Sequence, residues 1–164
     1  ANDDFSATLS SYAHAIELEP DNWNFHYQIA SISFNNLSRA AEHFSETQDQ
    51  AADRAILHYR LALQHNPSNF ELAGELAFAY AHLAPPDLAR SMAVWERSMR
   101  YARDERDRES VYLSMAQISI DSEQFEAARE QVALSSLSSF RGQRSLLLKR
   151  IEAAEKKSKQ RRDG

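Results

Sequence analysis

Leu61 to Leu83, LALQHNPSNFELAGELAFAYAHL, reads as the end of one helix, a proline corner and the start of the next. Leu61, Ala62 and Leu63 close an apolar-periodic segment, Asn66-Pro67-Ser68-Asn69 interrupts it, and Leu72, Leu76, Ala77 and Tyr80 open another. Pro67 has no amide hydrogen to donate and cannot continue a helix. Ser68 and Glu71 stand in the S-x-x-E spacing that lets each satisfy an orphan backbone N–H at a helix start. Two helices therefore meet at a tight corner, and the rest of the chain repeats that pattern with variations.

The surrounding composition favours helix throughout. Only 3 Gly and 4 Pro occur in 164 residues, and Ala, Leu, Glu, Gln and Arg are abundant, so strand and hairpin signals are few. An all-α class follows. No apolar run approaches the roughly 18 residues that mark a membrane span, so no transmembrane segment is expected. The absence of Cys excludes disulfides and thiolate metal sites but chooses no compartment. The chain begins at Ala1, which fits a removed signal peptide and a trimmed domain equally well. A cytoplasmic and a periplasmic or secreted location both stay open.

The net charge of -5 hides an asymmetry. Residues 1–140 hold 10 Lys/Arg against 21 Asp/Glu, and residues 141–164 hold 9 against 3. An acidic body thus precedes a basic tail.

Prolines and polar clusters divide the chain into a single domain of hairpins. Residues 5–19, with Leu9, Tyr12, Ala13, Ile16 and Leu18, form a partial repeat that stops at Pro20. Asp21-Asn22 caps a helix from Trp23 to about Phe44, because Ala30, Phe34, Leu37, Ala41 and Phe44 continue one apolar stripe. Ser45 and Gln48 form a second candidate capping pair, opening a helix that buries Ala52, Ala55, Ile56, Tyr59, Ala62 and Leu63. Residues 23–66 make an elongated repeat, whose Asn35 to Asp49 insertion either projects an apolar contact surface or packs on itself. Residues 70–102 and 109–135 make two more repeats, broken by Pro85-Pro86 and by a turn near Asp121-Ser122. The link RDERDRE, Arg103 to Glu109, reads as a solvated charged face. A capping helix spans 140–157, and 158–164 is a basic tail.

Aligning the hairpins gives columns. Tyr12, Tyr59, Trp95 and Val132 form one; Thr8, Ala55, Ser91 and Ala128 precede them by four residues, and Ala15, Ala62, Ser98 and Ser135 follow by three. Small residues let helix backbones approach while the large ones fill the space between pairs. Such a column expects a buried Trp95, whose truncation to Ala would cost roughly 3 to 5 kcal/mol. In the first helices an apolar-Ala pair recurs as Ile29-Ala30, Leu76-Ala77 and Met115-Ala116.

These recurrences, with Ala55-x3-Tyr59-x2-Ala62-x4-Pro67 and Gln124-Phe125-Glu126-Ala127-Ala128, resemble the tetratricopeptide repeat (TPR) family, whose unit is two antiparallel helices in about 34 residues. Ala stands where the family uses a small Gly, unit-ending prolines occur only at Pro20 and Pro67, and the first full unit is longer than the family's. HEAT-like and other hairpin stacks are the alternative. The resemblance implies a right-handed superhelix of three to four antiparallel hairpins with a C-terminal capping helix, displaying a concave groove for peptides. Carried onto this sequence, the groove positions are Asn24, Tyr27, Gln28 and Ser31; Glu71, Glu75, Phe78 and His82; and Ser110, Leu113, Ser114 and Gln117. No Lys or Arg is among them, so a neutral or basic peptide segment is the expected ligand.

Catalytic and metal motifs are missing. The six His form no H-E-x-x-H pattern; His58 and His65 lie seven apart with no evident third ligand, and no Gly-rich phosphate loop or G-x-S-x-G occurs. A solvated or hydrogen-bonded role is the expected one for each His. The expectation is a non-enzymatic scaffold without metal or cofactor, whose partner is a protein or peptide. Two alternatives are a homo-oligomeric module that buries the unpaired first helix, and a regulatory or assembly segment of a larger protein. Nucleic acid is disfavoured as a partner because the basic tail lacks interleaved aromatics.

Overall fold

The computed structural model describes residues 2–163, which contain nine α-helices and no strand. They fall into two compact units, residues 1–87 and 88–164. The division falls after Asp87, just past Pro85-Pro86.

The first unit contains α1 (Asn2–Leu18), α2 (Trp23–Phe34), α3 (Leu37–Phe44), α4 (Gln48–His65) and α5 (Phe70–Ala81). Its dominant packing is α2 against α4, with α1 on α2, α3 on α4 and α5 on both α4 and α2. Small side chains make this close approach possible. Ala30 on α2 and Ala51, Ala52, Ala55 and Ala62 on α4 are buried, and Tyr59 is the largest fully buried side chain. Leu9, Ile29, Ala40, Ala41 and Ala51 form a second core, closed by Phe5, Tyr12, Ile16, Leu37 and Phe44.

The single helix expected from Trp23 to Phe44 is two. Asn35 Nδ2 donates to the Ser31 carbonyl at 2.9 Å, Asn36 Nδ2 donates to the Ile32 carbonyl at 2.9 Å, and Asn36 leaves helical geometry at φ -140°. These amides supply alternative partners for carbonyls that a continuing helix would use. The apolar stripe crosses the break intact, which is why its spacing concealed it. The insertion does not project. Leu37, Ala40, Ala41 and Phe44 join the core, Arg39 lies over the Phe5 ring at 4.1 Å, and the His43 ring meets the Ser6 hydroxyl at 3.1 Å.

Two helix starts also differ from expectation. Ser45 ends α3 in the left-handed conformation (φ 56°), while Glu46 N–H donates to the Ala41 carbonyl at 2.9 Å, the pattern of a Schellman end. The capping box that opens α4 is instead Thr47 with Gln50, both reciprocal bonds being present. At α5, Asn69 rather than Ser68 is the cap: its Oδ1 accepts from Leu72 N–H at 3.0 Å.

The second unit contains α6 (Leu88–Ser98) with a 3-10 turn at Met99–Tyr101, α7 (Glu105–Asp121), α8 (Phe125–Ala133), a second 3-10 turn at Ser138–Phe140, and α9 (Arg141–Asp163). α7, α8 and α9 pack pairwise, and α6 packs on α7. Their core is Leu113, Ala116, Ile120, Ala128, Val132, Leu147 and Ile151, flanked by Phe125, Phe140 and Ala154. The small positions of the sequence columns are buried here too, at Ser91, Ser98, Ala128 and Ser135. Trp95 and Tyr12, however, are only half-buried.

α9 runs past the expected end at residue 157, through the basic tail to Asp163. Its far end is tied down by Glu123, which sits in the left-handed α7–α8 turn (φ 58°) and accepts from the Ser158 hydroxyl at 2.7 Å and from Arg161. The charged link 103–109 also departs from a solvated face. Asp104 caps α7 at 2.8 Å through Asp107 N–H, and Glu109 is buried.

Candidate peptide-binding surface

In the first unit, seven candidate positions lie on α2 and α5, two helices in direct contact, and the eighth, His82, caps α5. Asn24 is exposed, and Tyr27, Gln28 and Ser31 are half-buried along one side of α2. Their spacing of three or four residues places them one above another on the helix. On α5, Glu71 and Phe78 are exposed and Glu75 is half-buried, and exposed His82 caps the helix C-terminus.

Buried Tyr59 of α4 packs against the α2 set and stands near Glu75 of the α5 set. Its ring centroid lies 6.3 Å from that of Tyr27, Ser31 hydrogen-bonds its hydroxyl, and Glu75 is near enough to act on it electrostatically. Burial pushes the Tyr59 phenol above its ordinary range; the Ser31 hydrogen bond opposes that shift, and Glu75 and Tyr27 add to it. Tyr59 is thus a neutral, fixed support for α2, with Glu75 of α5 close enough to act on its phenol.

Phe78 is 49% exposed, a large apolar ring open to contact. The His82 ring stacks on it at 3.8 Å, fixed by the donation of its Nδ1–H to the Phe78 carbonyl at 2.9 Å. The surface thereby combines an aromatic pair, two carboxylates from Glu71 and Glu75, and the amides of Asn24 and Gln28. None of the eight residues is Lys or Arg.

The third set, in the second unit, differs. Leu113 is fully buried in the core with Ala116 and Ile120, which stand three and seven residues further along the same helix face, so it cannot meet a ligand and is removed from the candidate surface. Ser110 and Ser114 are half-buried and direct their hydroxyls to the carbonyls of Asp107 and Ser110, at 2.7 and 2.8 Å. Gln117 donates to Asp121 at 2.9 Å and accepts from Arg150 of α9, so the chain's last helix engages that position.

Two polar centres escaped the sequence reading. His26, 4% exposed on α2, lies between His58 and His65 of α4, with Nδ1 of His26 and Nδ1 of His58 2.9 Å apart. Nothing in the spacing of His58 and His65 pointed to a residue 32 positions before His58. Glu109, 2% exposed, accepts from the hydroxyl of Ser135 and the N–H groups of Ser136 and Leu137 at 2.7 to 3.0 Å. A signal for it existed: Glu109 stands four and seven residues before Leu113 and Ala116, on their apolar face.

Among the described residues, no three His, Asp or Glu side chains are grouped to hold a metal ion, and no helix is long and apolar enough to cross a membrane. No protein-family model matches this chain, and no curated protein matches it.

Proposed function

We propose that the chain is a non-enzymatic interaction module of TPR-like superhelical type, which binds a neutral or basic peptide segment across α2 and α5. The observation that carries this reading is the α2–α5 contact over Tyr59. It sets α5 against both members of the preceding α2–α4 pair, a packing that supports a stacked-hairpin reading. The surface it forms offers Phe78 and His82 for apolar or aromatic groups, Glu71 and Glu75 for a cation, and Asn24 and Gln28 for backbone amides. Binding by static display fits the support, since buried Tyr59 and the Ala-lined α2–α4 contact leave little to rearrange.

Self-assembly through α1 draws less support. Its outward positions Ala7, Ser10, Ser11, His14 and Glu17 are small or polar, and Leu18 is the one large apolar side chain among the exposed described residues there.

The test is charge reversal at the surface. Glu71→Lys with Glu75→Lys leaves the helical fold intact by circular dichroism and reverses the preference between basic and acidic peptides of equal length. Unchanged preference in a folded variant removes the assignment.

A further inference from the structure

Two imidazoles make a short polar contact between α2 and α4. His26 Nε2 lies 2.8 Å from the Pro20 carbonyl, which can only accept, so Nε2 carries the hydrogen. In neutral His26 the other nitrogen, Nδ1, is then an acceptor. It faces Nδ1 of His58 at 2.9 Å, so His58 must donate from Nδ1 and leave its Nε2 unprotonated. The chain of donation runs His58 to His26 to Pro20, from α4 through α2 to the α1–α2 corner.

We propose that this pair is an acid-sensitive latch, which holds the α1–α2 corner on α4 while the two rings share at most one added proton and releases it when both are protonated. One added proton is compatible with the contact: either ring can become the cation and donate to the other's Nδ1. Two added protons place N–H groups face to face at 2.9 Å, with a positive charge on each ring. The contact must then open.

The surroundings favour opening over neutralisation. Around the pair stand Arg54 and His65 from α4, Asp21 from the corner and, held by Arg54, Glu46 from the α3–α4 turn. Arg54 is one helical turn before His58 and repels a charged ring. Asp21 is 88% exposed and lies 3.6 Å from His65 rather than beside the pair. Burial first, then His26 and Arg54, hold the His58 imidazole down at about 4, well below its ordinary value. The opened chain protonates His58 more readily, so this ring favours the closed latch above about pH 6.5, and that contribution is lost as pH falls towards 4.

Imidazole nitrogen NMR of the full chain, with amide hydrogen exchange, tests this between pH 7.5 and 4. At pH 7.5 the expected tautomers are Nδ1–H for His58 and Nε2–H for His26. As pH falls through the second titration, the amides of Phe25 and His26, which donate to Asn22, should lose protection by up to about tenfold per pH unit after correction for intrinsic exchange. The amides of α7 report the rest of the chain and should not follow. His58→Gln supplies an amide that can donate to or accept from His26 and does not titrate, and it should suppress the acid-specific loss. Opposite tautomers at pH 7.5, or double protonation with the corner still protected, would overturn the latch. Because the tautomer and protection measurements use the unaltered chain, the inference remains testable if His58→Gln fails to fold. It is also independent of whether any peptide binds.

Discussion

The Ser135 hydroxyl donates to Oε2 of Glu109 at 2.7 Å, linking the loop after α8 to a carboxylate buried near the start of α7. Burial would raise the Glu109 pKa, but Ser136 N–H, the Ser135 hydroxyl, Leu137 N–H and the Ser136 hydroxyl outweigh it and hold the carboxyl at about 2. Arg144 of α9 adds bonds to the Ser135 hydroxyl at 3.3 Å and the Leu137 carbonyl at 2.7 Å. Glu109 therefore ties the α8–α9 connection to α7.

Its acid dependence follows from the direction of the shift. A folded-state pKa below the unfolded one contributes stability that is complete above the ordinary Glu value and is lost as pH falls from about 4.5 towards 2. Glu109→Gln should lower the melting temperature by roughly 5 °C or more at pH 7, and the difference from the unaltered chain should shrink near pH 2. Thermal melts across that range check it; a pH-independent difference would contradict the ionised cap.

Tyr59 and Trp95 occupy equivalent positions in the sequence columns but not in the structure. Tyr59 is 1% exposed, so Tyr59→Ala should cost about 3 to 5 kcal/mol. Half-buried Trp95 should cost less when truncated, about 1 to 2 kcal/mol instead of the larger loss expected from the column. Chemical denaturation of the two variants gives the order directly.

Ser45 adopts a conformation that favours glycine. At φ 56° and ψ 45° its Cβ crowds the following carbonyl oxygen, a cost glycine does not bear. Ser45→Gly should stabilise the chain by about 0.5 to 1 kcal/mol, because release of that crowding exceeds glycine's added freedom when unfolded; a lower denaturant midpoint would contradict it.

Local chemistry made much of the fold legible. Pro20 and Pro67 marked corners, Ala55, Tyr59 and Ala62 marked the buried face of α4, and Asn22 marked a cap, because each acts through neighbours close in sequence. The α2–α3 break was hidden because Phe34, Leu37, Ala41 and Phe44 keep helical spacing across it, while the Asn35 and Asn36 side chains that end the helix act independently of that spacing. The length of α9 was hidden for a different reason: Glu123 secures Ser158 and Arg161 from another helix turn. Leu113 was misplaced because three-residue spacing from Ser110 does not distinguish a surface flank from the core side shared with Glu109 and Ala116. The His26–His58 contact depends on packing between distant segments, which periodicity does not encode.

Fluorescence anisotropy tests the central claim most directly, using two labelled peptides of equal length, one Lys/Arg-rich and one Glu-rich, each with an aromatic residue at its centre. The intact chain should bind the basic peptide with affinity that weakens as salt rises, and bind the acidic one less tightly. Glu71→Lys with Glu75→Lys should exchange that order, while Phe78→Ala should weaken both. Equal binding of the two peptides by the intact chain, or an order unchanged by the double reversal, would contradict peptide recognition across α2 and α5.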